Sequence, residues 1–476
     1  MKIAVFADAH VSSYENTSQL AALRYAVRRI REERPDAAVS LGDATAFGTK
    51  EAALLFRKET AELPCPKLFL PGNSDLRAGA GEVRELVSEG RILDVGGWRL
   101  IGLDTSEGRL REEDKRLLEG DPGRSVVFLH HAPSEVCGGR DKKRLDRFPA
   151  VVYGHVHYGK REENEIAVRA LDPDKAIGGP PSLLWLEAGE DGIRTEYEPC
   201  MDFAPEEIAE YAGISCFDTG AILWAAENAV PSIEIRPGSV DWDREPLREA
   251  LDAWRKSGGR YLSLHLPDFG SGCDPAVMDR AVSFAGEIGT DGVTFHVPRI
   301  PVAEYEAWKD RLADSVAGWI RALPEECAAG IENLHMTTQE KDDGARRFGY
   351  TPSECLAFSD EVNARFGRER AGLVFDVGHA RYNASLASVY PIGDWYAAVG
   401  KRIRAYHLHQ VILLENGMHN HFPVDSVYGP LISYCGFSWC WNHGILAKRP
   451  AFLEIRGDYR TSYAVFTGRD VTVRSE

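Results

Sequence analysis

No run of apolar residues in this 476-residue chain approaches the roughly 20 needed to cross a bilayer. The opening MKIAVFADAH has one lysine and a short apolar run, too little for a secretory leader. Basic excess is also missing: 56 Lys and Arg against 73 Asp and Glu leave a formal charge of −17, which disfavours a nucleic-acid or anionic-membrane surface. The nine cysteines, at 65, 137, 200, 216, 273, 327, 355, 435 and 440, show no C-x-x-C spacing. They therefore read as reduced thiols of a cytoplasmic protein and not as a disulfide framework. What remains is an acidic chain with 44% apolar residues, long enough for two or three domains and suited to small-molecule chemistry.

Residues 1–198 alternate short apolar runs with amphipathic stretches such as SQLAALRYAVRRIREE. The runs are IAVFAD, DAAVSLGD, KLFLPGN, WRLIGLD, RSVVFLHH and FPAVVYGHVH. Five of the six end on metal-type residues: Asp8 and His10, Asp43, Asn73, His130, then His155 and His157. In open α/β sheets strand ends converge at one edge, so residues distant in sequence can form one cluster. In extended chain His155 and His157 leave the same face. Two aspartates, an asparagine and four histidines, with no thiolate, suit Mn²⁺, Fe or Zn²⁺ and are too many for one small cation. Two divalent metals sharing a carboxylate can clamp a phosphoryl group and activate water.

The order D-x-H, GD, GN-x-D, H, GH-x-H resembles the calcineurin-like metallophosphoesterases over residues 1–198. The resemblance implies Asp8, His10, Asp43 and His157 around one metal and Asp43, Asn73, His130 and His155 around the other, with Asp43 bridging. The family usually has a histidine after the Gly-Asn pair; here Ser74 stands there, and a hydroxyl is no effective general acid near neutral pH. His131 is a stand-in, so the catalytic assignments are Asp43, Asn73 and His131, with Arg77 and Arg140 as phosphate contacts.

LLWLEAGEDGIRTEYEPC reads as the last strand of the first domain, followed by a linker over 199–210. From 211 to 476 the pattern becomes strand-then-helix, with strands at GISCFDT, SIEIRP, YLSLHLP, GVTFHVP, AGIENL, GLVFDVGH, IRAYHLHQ and FLEIRG. Eight such units have the size of a (β/α)₈ TIM barrel. The fold expected is thus α/β throughout: an N-terminal sandwich of mixed sheets flanked by helices, then the barrel. The tail VFTGRDVTV reads as short extended pieces around a turn, which leaves that flank to the first domain or to another subunit of a homo-oligomer.

Polar residues sit late in the barrel strands: His265, His296, Glu332, Asp376, His379, His407 and Glu454, with His419 and His421 in the loop after the seventh strand. The pieces SLHLP, FHVP, IEN, FDVGHA, HLHQ, HNH and LEIR resemble the xylose-isomerase-like barrels and, within them, the endonuclease IV branch. The resemblance implies one to three divalent metals, Zn or Mn. Glu332, Asp376, His407 and Glu454 match a single-metal isomerase site, and the five other histidines extend it toward a trinuclear one. His419 departs, standing where that family has aspartate. A DNA-repair role does not follow: residues 1–198 hold 34 acidic and 29 basic side chains, so the remainder nets −12. The expectation is a metal-dependent phosphoesterase fused to a second metal-binding catalytic barrel, each acting on a small phosphoester, sugar phosphate or polyol. One alternative is a sugar or polyol isomerase or epimerase with an accessory phosphoesterase. Another is a non-catalytic scaffold, for which Ser74 is the best support.

Overall fold

A computed structural model describes the chain apart from residues 80, 237–243, 272–273, 338, 341–345, 416 and 473–476. Cys273 and the end of the tail lie outside the described residues. Two compact units emerge: Met1–Phe203 with Tyr428–Trp439, and Ala204–Val427 with Cys440–Glu476. Among the described residues no helix is long and apolar enough to cross a membrane.

The first unit is built on two mixed sheets. One runs, in spatial order, Gly192–Pro199, Ser182–Gly189, Lys2–Phe6, Ala37–Ser40, Lys67–Phe69. The other runs Ile92–Val95, Trp98–Leu103, Ser125–Leu129, Ala150–Tyr153, Glu165–Ala167, Lys160–Glu162. Alternation along Lys2–Phe6 explains the layering. Ile3 and Val5 join Leu68, Leu100, Phe128, Val152 and Leu184 in a core between the sheets, while Ala4 and Phe6 pack outward against Leu20, Leu23 and Phe56 of flanking helices. Each large apolar side chain buried this way contributes about 1.5–3 kcal/mol. The helix Ser18–Glu33 starts where the Thr17 hydroxyl accepts the Leu20 N–H and ends at Arg34, with φ +48°. The sequence reading of one closing strand is corrected: residues 182–199 form two antiparallel strands turning at Glu190 and Asp191, since GIRTEYEP alternates faces.

The second unit is a closed barrel of eight parallel strands in sequential order. They are Ala212–Cys216, Ser232–Ile235, Tyr261–His265, Gly292–His296, Ala328–Glu332, Ala371–Asp376, Ile403–Leu408 and Ala451–Leu453. Between the seventh and eighth lies an antiparallel pair, Gln410–Leu414 with Gly417–Phe422. His419 and His421 are therefore on a strand of a hairpin, not in an open loop. The tail is corrected as well: Tyr459–Thr467 is a helix, capped by Asp458 accepting the Thr461 N–H and closed by Gly468 at φ +65°. Its buried Tyr463 and Phe466, with Trp224 5.9 Å from the Tyr463 ring, cover that flank from within the barrel.

Candidate metal centres

In the first unit the predicted donors meet at the strand ends. His10 Nε2 lies 3.3 Å from Asp43 Oδ2, and His130 Nε2 lies 3.3 Å from Asp43 Oδ1 and 3.0 Å from Asn73 Oδ1. His155 Nδ1 is 3.2 Å from His130 Nε2, and His157 Nε2 is 3.9 Å from Asp8 Oδ1. Their convergence is not a consequence of extended chain: the strand ends at Tyr153, and His155 and His157 have φ of +68° and +61°. Asp8, His10 and Asp43 share that left-handed conformation at +53°, +43° and +50°. Non-glycine residues held there cost free energy and persist where the surroundings impose them, often at functional sites. Glycine makes the approach possible at Gly72, where a Cβ would stand 2.1 Å from Asp43 Oδ1.

Ser74, the departure from the family pattern, is turned away from acid chemistry. Its hydroxyl donates to the Thr45 carbonyl at 2.6 Å, and its N–H donates to Asp43 Oδ1 at 2.8 Å. Asp75 ties the two loops together by accepting from Gly72 N, Thr45 N and Thr45 Oγ1 at 2.7–2.8 Å. His131 stands with the donors, its ring 4.3 Å from that of His155. Arg77 turns to the Ala46 carbonyl, 3.4 Å away, and Arg140 is exposed on the helix Gly139–Leu145. No described contact joins either arginine to the donors.

The donor chemistry fits a divalent cation. His130 Nδ1 faces the Leu41 carbonyl at 2.9 Å, which places the ring proton there. Burial, outweighing the pull of Asp43, pushes the imidazole down to about 4, so Nε2 carries a lone pair at neutral pH. That lone pair confronts acceptor oxygens of Asp43 and Asn73, an arrangement a cation relieves. Burial and then the charge on Asp43 push Asp8 up to about 8. Burial opposes charge on Asp43 too, but His130, His10 and the Ser74 N–H hold it well below its ordinary value. Sequence reasoning missed Asp172, which is buried with Oδ2 3.2 Å from His10 Nδ1 and orients that ring as outer carboxylates do for metal-bound histidines.

The barrel centre is built the same way. Glu332 Oε2 is 2.9 Å from His265 Nε2 and 3.2 Å from His296 Nε2, and Glu332 Oε1 is 3.1 Å from His407 Nδ1. His407 Nδ1 lies 2.9 Å from Glu454 Oε2. His379 Nδ1 is 3.4 Å from Asp376 Oδ2, and His421 Nδ1 is 3.4 Å from Glu454 Oε1. His419 is paired with Ile412 across the hairpin, with Phe422 as its ring neighbour at 6.5 Å. The same test of fit applies at His265: its Nδ1 faces the Leu266 carbonyl at 3.0 Å, and burial pushes its pKa down to about 4. A neutral Nε2 lone pair thus faces the Glu332 carboxylate, as a ligand pair around a cation does.

Two residues escaped the sequence reading. Glu234, wholly buried on the second strand, sits 2.8 Å from His407 Nε2 and accepts from Ser263 and Thr294 hydroxyls at 2.9 and 2.8 Å. That holds an N–H on His407 Nε2 and turns Nδ1 toward Glu332 and Glu454. Against the cost of burial, Glu234 and Glu332 push the ring up to about 10, so Nδ1 also carries a proton, which a bound cation would displace. His409 lies among His379 and His421, but its Nδ1 accepts the His421 backbone N–H at 2.9 Å. Its proton is then on Nε2, 3.1 Å from Asp376 Oδ1. His409 is placed to orient Asp376 by donating to it. No sequence motif marked Glu234; His409 lay within the HLHQ motif but was not read as part of the site.

Residues 1–159 match the calcineurin-like phosphoesterase family, and residues 222–435 match the family described as xylose isomerase-like TIM barrel. The chain joins a calcineurin-like phosphoesterase domain to a xylose isomerase-like barrel. A probable cyclic nucleotide phosphodiesterase of Pseudoalteromonas sp. (strain SM9913) is 28% identical over 224 residues, covering 39% of this chain and 83% of that protein. The 3',5'-cyclic adenosine monophosphate phosphodiesterase CpdA of Pseudomonas aeruginosa is 28% identical over 253 residues, 46% of this chain and 84% of its own length. Among solved structures, a D-tagatose 3-epimerase-like protein superposes on 54% of this chain and 98% of its own with 16% identity and a TM-score of 0.39.

Proposed function

We propose that the phosphoesterase domain hydrolyses a small phosphodiester, of which a cyclic nucleotide is the first candidate. The observation that carries this reading is the convergence of Asp8, His10, Asp43, Asn73, His130, His155 and His157, with the neutral His130 lone pair facing carboxylate and amide oxygens. The two named relatives supply the substrate class. Asp8, His10, Asp43 and His157 would hold one divalent ion and Asp43, Asn73, His130 and His155 a second, of Mn, Fe or Zn. Such ions neutralise charge on the phosphoryl oxygens and acidify an attacking water. The chain's own part is positional. Asp43 is fixed by the Ser74 N–H and His10 by Asp172. Burial and His130 push His131 down to about 4, so it would offer a neutral N–H as a hydrogen-bond donor to the oxygen that leaves phosphorus and not act as an acid.

The barrel is a second metal-dependent active site in this reading, with Glu332, Asp376, His407, Glu454, His265, His296, His379 and His421 as the candidate ligands. One bound ion would favour isomerisation or epimerisation and three would favour ester hydrolysis. The free thiols of the eight described cysteines fit a reducing compartment.

The decisive assay follows cyclic AMP and bis(p-nitrophenyl) phosphate hydrolysis with added Mn²⁺, comparing the full chain with Asp43→Asn. Loss of about two orders of magnitude or more in kcat is expected. Equal turnover by the variant would remove the proposal.

A further inference from the structure

The mouth of the barrel opens on a cavity of about 1090 Å³ whose wall includes His265, His296, His379, His421 and Glu454. Five arginines line it, Arg236, Arg244, Arg280, Arg299 and Arg456, against three carboxylates and no lysine among the described residues. In a chain with a net charge of −17 that balance is the reverse of the average surface. Three of the arginines are already paired: Arg236 with Glu454, Arg299 with Asp268 at 3.0 Å, and Arg244 with Glu287 at 3.3 Å. Among the described residues no carboxylate pairs with Arg280 or Arg456. Arg280 projects from the helix Pro275–Ile288, and Arg456 follows Glu454 with its backbone N–H on the His421 carbonyl at 3.0 Å. Both stand on the same cavity as the candidate metal ligands.

We propose that the ligand of the barrel carries a phosphate ester, gripped by Arg280 and Arg456 while its organic body reaches the metal-type side chains. The inference rests on reading the barrel as a metal-dependent site, and it decides between the phosphorylated and the neutral polyol substrates that reading allows. A guanidinium presents paired N–H donors that match two phosphate oxygens, whereas a neutral polyol gives a cluster of cations nothing to neutralise. The cavity far exceeds a bare phosphate and matches the upper range of small-molecule sites. Phe217, 5.9 Å from the Arg236 guanidinium, adds an apolar wall for a sugar or base.

Calorimetry on the full-length, Zn-loaded chain tests this, in an Asp43→Asn background so that the first centre is altered equally in every arm. Ribose 5-phosphate should bind about tenfold or more tighter than ribose, inorganic phosphate should compete with it, and Arg280→Gln with Arg456→Gln should remove about tenfold of that affinity. Both arginines are exposed, so folding is not at stake, and an unchanged zinc content in the double variant would confirm an intact centre. Three results would overturn the proposal: equal binding of ribose and its phosphate, no arginine-dependent binding of either phosphate probe, or tight binding confined to a duplex oligonucleotide with an abasic site. Phosphodiester turnover by the first domain is a separate readout, so its failure would leave these outcomes interpretable.

Discussion

Single residues divide here into those that could hold a metal and those that aim them, and the second group is where sequence reading fell short. A histidine at a strand end is visible in a motif, whereas the carboxylate behind it is one acid among 73. Glu234 is the clearest case. It is buried inside the barrel, and His407, after overcoming the cost of burial, holds its pKa down to about 2. It keeps a proton on His407 Nε2, so the proton that a metal would displace is the one on Nδ1, which faces Glu332 and Glu454. Glu234→Gln retains size and most hydrogen bonds but no longer fixes that tautomer by charge. Its expected effect is a 10–100-fold loss of barrel metal affinity, measured by competition with a chromogenic chelator. Unaltered affinity would mean that Glu234 only fills the core. The histidine motifs themselves were legible because their chemistry is local. Asp172 and His409 were not, because their roles depend on which ring nitrogen faces which neighbour.

At the level of elements, the six apolar runs and eight barrel strands could be read from periodicity, because buried strands need little beyond apolar content and bounding turns. Elements outside that logic were lost. Gly192–Pro199 alternates too weakly in hydrophobicity to announce itself, and Tyr459–Thr467 sits beside a glycine that suggested a turn. That glycine is the helix's left-handed cap. A second helix start shows what local pairing contributes. The Thr337 hydroxyl accepts the Glu340 N–H at 3.2 Å, and the Glu340 carboxylate accepts the Thr337 N–H at 3.0 Å, a reciprocal capping pair. Burial works against the Glu340 charge, but Arg347, the Thr337 N–H and the Tyr350 hydroxyl hold its pKa down to about 2 from an ordinary 4.5. A carboxylate with a depressed folded pKa stabilises above its unfolded value and loses that contribution as pH falls toward the folded one. Urea unfolding should therefore show wild-type stability dropping between about pH 4.5 and 2 more steeply than in Glu340→Gln. Parallel curves would place the charge elsewhere.

For the whole molecule, two units each concentrate buried carboxylates and imidazoles at strand ends, and the energetic cost of that arrangement predicts how the protein responds to metal. Asp8, Asp43, Glu332, Asp376 and Glu454 are all essentially inaccessible to solvent. Removing a carboxylate from water costs several kcal/mol unless an opposite charge accompanies it, and the surrounding imidazoles only partly compensate. A divalent ion bound to the folded chain alone stabilises it by mass action, about 4 kcal/mol at a thousandfold excess over Kd. Stripping metal with a chelator should accordingly lower the unfolding temperature by several degrees, and Mn²⁺ or Zn²⁺ should restore it. The origin of the effect can be separated from its existence. If uncompensated carboxylates destabilise the stripped protein, Asp376→Asn should narrow the gap between stripped and loaded melting temperatures by weakening the metal while sparing the metal-free state a buried charge. A variant whose gap equals that of the wild type would show that Asp376, which His379 and His409 hold far below the ordinary carboxylate range once the cost of burial is met, is compensated by imidazoles alone.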